Sequence, residues 1–298
     1  MQKTLIVVTG ATASGKTGLA IELAERLGCD VISADSRQIY QGIPITTAAP
    51  TPEQLARVRH HFIATLPLDA SYSAARFEED ALAVLERQWQ RGDYAVVCGG
   101  SMMYVDALTD GIDQLPTITD TVRQKVKDIL AEHGPEGLLA LLEILDPEYF
   151  KEVDKANLKR VAHAVEISMQ AGEPYSGLRL GRKAERPFRI IKLAIDWPRE
   201  QLFDRINRRV ELMVEQGLEQ EARSVYHLRH LNSLNTVGFK EMFAYFEGTM
   251  DFATATARIA KNTRVYAKKQ LTWLARPTVR PATWLNPVTA LDQALRML

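Results

Sequence analysis

Thr4–Thr17 reads TLIVVTGATASGKT, and this stretch decides the fold. Thr4 to Thr9 is an apolar, β-branched run of strand length. It stops at Gly10, and a helical pattern opens at Lys16 and runs to about Leu27. Between them, Gly10, Ala11, Thr12, Ala13, Ser14, Gly15, Lys16 and Thr17 match the phosphate-loop pattern G-x-x-x-x-G-K-[ST] in its strand–loop–helix setting. Gly10 and Gly15 permit the backbone angles that turn successive N–H groups inward to form an anion nest. The positive end of the following helix points at the same place. Lys16 supplies an ammonium to the terminal phosphates, and the Thr17 hydroxyl is the candidate ligand for Mg²⁺. The loop by itself does not name a reaction, because kinases, NTPases and some transferases share it.

Outward from this loop, strands and helices alternate. Asp30 to Ser33 reads as a short strand, Ala74 to Arg91 as a helix with a charged outer face, and Tyr94 to Cys98 as a buried strand closed by Gly99-Gly100. Alternation of this kind predicts a parallel sheet flanked by helices. After about Gly111 the character changes. Leu115-Pro116 breaks the chain, and Asp120 to Gly172 is almost wholly helical, punctuated at Gly134-Pro135 and Asp146-Pro147. Glu185 to Asp196 returns to strand, and helical spacing resumes at about Glu200–Ala222 and Asp251–Leu274. The expected organisation is an α/β, P-loop NTPase-like core with an all-helical insertion domain. The core's first part spans residues 1–115, the insertion 116–184, and the core is completed by 185–298.

The 298 residues are 46% hydrophobic and 25% charged, which suits one large α/β domain carrying an insertion. Lys plus Arg and Asp plus Glu both number 37, so bulk charge does not advertise a nucleic-acid partner and local basic faces must decide. Two cysteines without CxxC spacing argue against a disulfide framework or a cysteine zinc site, and Cys98 at a strand end reads as a core thiol. Adjacent His60 and His61 point to opposite sides and make a poor chelate. No signal-peptide layout or membrane-length apolar run is present, so the expected setting is cytoplasmic, with no membrane partner.

A second loop, Ser33-Ala-Asp35-Ser36-Arg37-Gln38-Ile39-Tyr40, follows the second strand. Ligands of open α/β sheets bind outside the carboxyl ends of the strands, which puts Asp35 beside the phosphate loop as a candidate base or metal partner. Asp is equally suited to capping a helix, and the residues alone leave both readings open.

The string DSRQIY after GATASGKT resembles the tRNA dimethylallyltransferases, also called tRNA isopentenyltransferases, of bacterial type. Further pieces follow the same family in order: Gly99-Gly-Ser-Met-Met-Tyr104, Asn157-Leu-Lys-Arg-Val-Ala-His-Ala-Val-Glu166, Gly217-Leu-x-x-Glu221, Val237-Gly-Phe-Lys-Glu241, and Arg264-x-Tyr-Ala-Lys-Lys-Gln270-x-x-Trp273. The resemblance implies transfer of a dimethylallyl group from its diphosphate to the exocyclic amine of the adenosine 3′ of a tRNA anticodon. It implies Asp35 as the base, with Lys16 and Ser101 as further catalytic residues. It places Asp35, Ser36, Arg37, Gln38 and Ser101 at the target nucleotide, and Arg123, Lys159, Arg160 and His163 on the anticodon stem-loop. Mg²⁺ is the implied cofactor, tRNA and dimethylallyl diphosphate the partners, and a monomer the expected state. Arg160 also reads as one half of an intrahelical ion pair.

Several positions depart from the family pattern: Ala11 for its usual Pro, Thr46 for a Gly, Ala49 for a Lys, Ala64 for an acid, Ser101 for Thr, and His163 for Arg. Independently of the family, Lys261, Arg264 and Lys268 share one face of a helix, while Ile259, Tyr266 and Trp273 form a core-like stripe on another. Two more basic groups are Arg179, Arg182, Lys183, Arg186 and Arg189, and Arg205, Arg208 and Arg209. Three rival readings remain: prenylation of free adenine nucleotides, a small-molecule P-loop kinase, and a non-catalytic RNA-binding P-loop protein.

Overall fold

The structure, a computed structural model, describes residues 2–298 apart from Gln114, Arg182 and Thr278. Six strands form one sheet: β1 (Thr4–Thr9), β2 (Val31–Ser33), β3 (His60–His61), β4 (Tyr94–Cys98), β5 (Arg189–Ile195) and β6 (Thr283–Leu285). Their order is β3-β2-β4-β1-β5-β6, and every pairing is parallel. The chain divides by its internal contacts into an α/β core, Met1–Asp110 with Glu185–Leu298, and a helical unit, Gly111–Ala184. The helical unit begins at Gly111, earlier than the Leu115-Pro116 break suggests.

β1 is apolar throughout because both faces of the sheet are covered. Leu5 and Val7 pack with Phe77, Ala81 and Leu85 of α3 (Ala74–Trp89; α1 is Lys16–Leu27 and α2 Pro52–Arg57). Ile6 and Val8 pack on the opposite side with Leu19, Ala20 and Leu23 of α1. β1 aligns Val8 with Cys98 of β4, and β4 aligns Cys98 with Ser33 of β2. The loops that leave β2, β4 and β1 therefore emerge side by side at the carboxyl edge. That register brings the Asp35 loop, the Gly99-Gly100 loop and the phosphate loop together.

The two glycines after β4 are required by close approach. A Cβ on Gly99 would lie 2.1 Å from the Ala34 carbonyl oxygen, and one on Gly100 would lie 2.3 Å from Gln270 Nε2. The remaining core helices are α4 (Met102–Asp110) and, beyond the helical unit, α9 (Arg199–Glu215), α10 (Leu218–Val225), α11 (Phe239–Phe246), α12 (Phe252–Leu274) and α13 (Ala290–Leu295).

The helical unit holds α5 (Asp120–Leu145), α6 (Pro147–Glu152), α7 (Leu158–Ala171) and α8 (Tyr175–Leu178) around Val126, Leu138, Leu142, Val161 and Val165. α5 breaks at Gly134, whose φ of 64° and ψ of −166° are not helical, just before Pro135. Buried Asp146 fixes the unit's far end: it accepts the Tyr149 N–H at 2.9 Å, the Ser176 N–H at 2.6 Å and the Ser176 hydroxyl at 2.7 Å.

Candidate functional site

The phosphate loop is held in a strained, defined shape. Gly10, Ala13 and Gly15 all have positive φ, at 134°, 64° and 96°. For Ala13 this is an uncommon conformation that its neighbours must hold in place. Several partners do so. Arg205 Nε donates to the Ala13 carbonyl at 2.8 Å, Trp197 Nε1 to the Ser14 carbonyl at 2.8 Å, and Arg209 to the Thr12 hydroxyl at 3.1 Å. The start of α1 has no side-chain cap, so its first N–H groups stay available to an anion.

Lys16 Nζ donates to the Ala11 carbonyl at 2.8 Å. Burial pushes Lys16 down to about 8, with Arg209 lowering it further and Asp35 opposing. Burial also lowers Arg209, with Arg205 adding and Asp35 opposing. The Ser14 hydroxyl is buried without a hydrogen-bond partner among the described residues. Two partly buried cations and an orphaned hydroxyl around one anion nest suit a phosphate ester.

A cleft of about 660 Å³ lies against this loop, lined by Lys16, Thr17, Arg205, Arg208, Arg209 and Ala49 among others. A second, of about 350 Å³, is lined by Thr12, Asp35, Ser36, Arg37, Ser101, Lys240 and Tyr266 among others. Ala48, Arg209 and Met213 border both. Both lie wholly within the α/β core.

Asp35 Oδ1 accepts the N–H groups of Arg37 at 2.9 Å and Gln38 at 3.3 Å, so it caps a turn rather than a helix. The residue nevertheless lines the smaller cavity, and one carboxylate can do both. Ser101 Oγ accepts the Ser36 N–H at 2.8 Å and contacts the Ser36 hydroxyl at 3.2 Å, which ties the β4 loop to the Asp35 loop. Arg37 donates to the carbonyls of Asn232 and Asn235, fastening a segment that lines the same cavity. Gln38 is an internal brace: it meets Ser33 Oγ and donates to the carbonyls of Thr47 and Ala48.

The residues 45–48 are held from the other side by buried Glu221, which accepts the N–H groups of Ile45 at 2.7 Å and Thr46 at 2.8 Å. Gln270 joins the phosphate loop to the β4 loop, accepting from Thr12 N at 2.8 Å and donating to the Gly100 carbonyl at 2.9 Å. Both Glu221 and Gln270 stand in motifs visible in the sequence, yet nothing there announces a clamp.

Thr17 lines the larger cleft, and burial pushes the Cys98 thiol up to about 11. Among the described residues no cluster of three or more His, Cys, Asp or Glu could cage a metal. A single hydroxyl beside a phosphate nest fits Mg²⁺ carried largely by substrate phosphates and water.

In the helical unit, Arg123 on α5 and Lys159, Arg160 and His163 on α7 are all exposed. Arg160 forms no ion pair among the described residues. Burial lowers His163, with Glu166 opposing and Arg123 lowering it further.

Three expectations are corrected. Arg186 is not a surface cation: it pairs with Glu78 and donates to the carbonyls of Ala107 and Leu108. Arg264 is not part of a free basic face, since it donates to Asn207. Tyr266 is not core: Ile259 and Trp273 are buried, but Tyr266 is 39% exposed and lines the smaller cavity. Arg182, grouped with the basic residues by sequence, lies outside the described residues.

Fold and loop together define an α/β protein of P-loop NTPase-like architecture, with a pocket beside the loop that sets Asp35 among Arg37, Arg209 and Lys240. The IPP transferase family model matches residues 38–277. tRNA dimethylallyltransferase 1 of Phocaeicola vulgatus is 50% identical over 287 residues, covering 96% of this chain and 95% of that protein. tRNA dimethylallyltransferase 2 of Porphyromonas gingivalis is 50% identical, covering 95% and 94%. Among solved structures, the full-length tRNA isopentenylpyrophosphate transferase of Bacillus halodurans superposes with a TM-score of 0.69 at 32% identity, covering 100% of this chain and 94% of that one. A eukaryotic dimethylallyltransferase captured acting on tRNA gives 0.82 at 25% identity, covering 98% and 77%. The chain belongs to the IPP transferase family.

Proposed function

We propose that this chain transfers the dimethylallyl group of dimethylallyl diphosphate to the exocyclic amine of the adenosine 3′-adjacent to the anticodon of tRNA. The observation that carries this reading is the shared wall: Arg209 borders both the phosphate-loop cleft and the Asp35 cavity. A diphosphate on the loop then has its allylic carbon directed at a base held beside Asp35.

In the transfer, the allylic C–O bond breaks and its electron pair leaves with diphosphate. Backbone N–H groups of the nest, Lys16 and Arg209 stabilise the charge that develops there. The adenine nitrogen bonds to the allylic carbon, and its proton passes to Asp35. Mg²⁺, held by Thr17 and the phosphates, would add Lewis-acid stabilisation to the leaving group. Ser101 holds the Asp35 loop through Ser36 and stands in the cavity wall near the target base. The target adenosine has to leave its stack for its amine to reach Asp35. The exposed cations Arg123, Lys159 and Arg160, with His163, serve the stem-loop backbone.

The test is incubation with Mg²⁺, dimethylallyl diphosphate and unmodified tRNA, followed by mass spectrometry of the nucleosides, with free AMP in parallel. Prenylated adenosine from tRNA and none from AMP is the expected result. Product from AMP alone would assign the chain to free nucleotides, and product from neither would remove the prenyl-transfer reading.

A further inference from the structure

Thr263, Tyr266 and Gln270 fall within about 60° of one another on α12. This face is turned to the site: Thr263 and Tyr266 line the smaller cavity, and Gln270 is fastened to both Thr12 and Gly100. The helix is thereby fixed to the phosphate loop, and whatever Tyr266 presents is presented rigidly. Among the described residues the Tyr266 ring stacks on no other ring and its hydroxyl makes no hydrogen bond. An aromatic side chain 39% exposed on the wall of a polar cavity, on an otherwise buried stripe, calls for a ligand with a flat face. Asp35 is near enough to raise the phenol, which burial pushes up to about 12, so the ring stands beside the residue that meets the base. At this value the hydroxyl stays protonated at neutral pH and is no proton acceptor.

Resting on the proposed function, we infer that Tyr266 is the stacking platform for the extruded adenine, holding its ring plane so that the exocyclic amine reaches both Asp35 and the allylic carbon. Base–aromatic stacking depends on the π face rather than on the hydroxyl. Tyr266→Phe therefore retains function, whereas Tyr266→Leu, similar in apolarity but without a π face, does not.

The test is single-turnover transfer to an anticodon stem-loop RNA at saturating RNA, with inhibition by inorganic pyrophosphate as a control on the phosphate loop. Tyr266→Phe is expected within about threefold of the wild type. Tyr266→Leu and Tyr266→Ala are expected to lose about 10- to 100-fold in rate, the loss of one base–aromatic stack. Pyrophosphate inhibition should stay within about twofold throughout. A Leu variant as fast as Phe would overturn the platform, as would a Phe variant as slow as Ala, which would make the hydroxyl the active part. Loss of pyrophosphate inhibition together with rate would make Tyr266 a structural residue and also overturn it. A wild type inactive on RNA would instead sink the function on which the inference rests.

Discussion

Gln270 accepts the backbone N–H of Thr12 at 2.8 Å and with its other end donates to the Gly100 carbonyl at 2.9 Å. One buried amide therefore sets the spacing between the phosphate loop and the loop after β4. Replacing it by Glu retains the acceptor for Thr12 but sets a second oxygen against a carbonyl oxygen. Gln270→Glu is expected to lose about 1–3 kcal/mol of stability at neutral pH. It should also weaken pyrophosphate binding, as read by denaturant unfolding and by calorimetry.

Gly99 and Gly100 differ in what a methyl group would meet. At Gly99 it strikes the backbone of Ala34, next to Asp35, and at Gly100 the end of the Gln270 side chain. Gly99→Ala is expected to abolish transfer and to cost about 1–3 kcal/mol or more, because backbone must move. Gly100→Ala should cost less stability yet reproduce the weakened pyrophosphate binding of Gln270→Glu. Thermal unfolding of both variants checks the order.

Glu221 and Gln38 hold opposite polar groups of one loop, the N–H groups of Ile45 and Thr46 and the carbonyls of Thr47 and Ala48. That loop borders both cavities. Glu221→Gln puts an NH₂ against a backbone N–H and removes the charge that favours both bonds. The expected outcome is a raised KM for both substrates with a smaller change in kcat, checked by steady-state kinetics over both concentrations.

Lys16 carries a pH prediction. Its folded value, about 8, lies below the ordinary 10.5, so the folded protein releases this proton first. The burial penalty is therefore present below pH 8 and is relieved as pH rises from about 8 to about 10.5, where this group makes stability increase. Over the same rise the loop loses its cation. Pyrophosphate affinity of the wild type, taken relative to Lys16→Arg to cancel titration of pyrophosphate itself, is expected to fall about tenfold between pH 7 and pH 9. A flat ratio would show that Lys16 keeps its proton through that range.

The core was legible because its strands are buried on both sides and their loops carry specific residues: Thr4–Thr9, Lys16–Leu27 and Tyr94–Cys98 stand where the apolar runs and glycines put them. β3 and β6 were not, since neither is a buried apolar run: the His60–His61 pair is half-buried and two of the three residues of β6 are exposed. Side-chain roles were less legible than positions. Arg186 and Arg264 look like surface cations in sequence because their partners, Glu78 and Asn207, are far away along the chain. Tyr266 reads as core in sequence because spacing by seven fixes only its angle around the helix, between buried Ile259 and Trp273, and says nothing of a cavity opening beside it. Gln38, read as a nucleotide contact, is occupied by the loop it braces.

The central claim is that Asp35 takes the proton from the adenine amine, and Asp35→Asn tests it most directly. Asn caps a turn as well as Asp, so the bonds from Arg37 and Gln38 to the side-chain oxygen survive while the base is lost. Single-turnover transfer to tRNA is predicted to fall by about 10²- to 10⁴-fold with pyrophosphate affinity unchanged. Transfer at the wild-type rate would contradict the account and leave Asp35 as a cap alone.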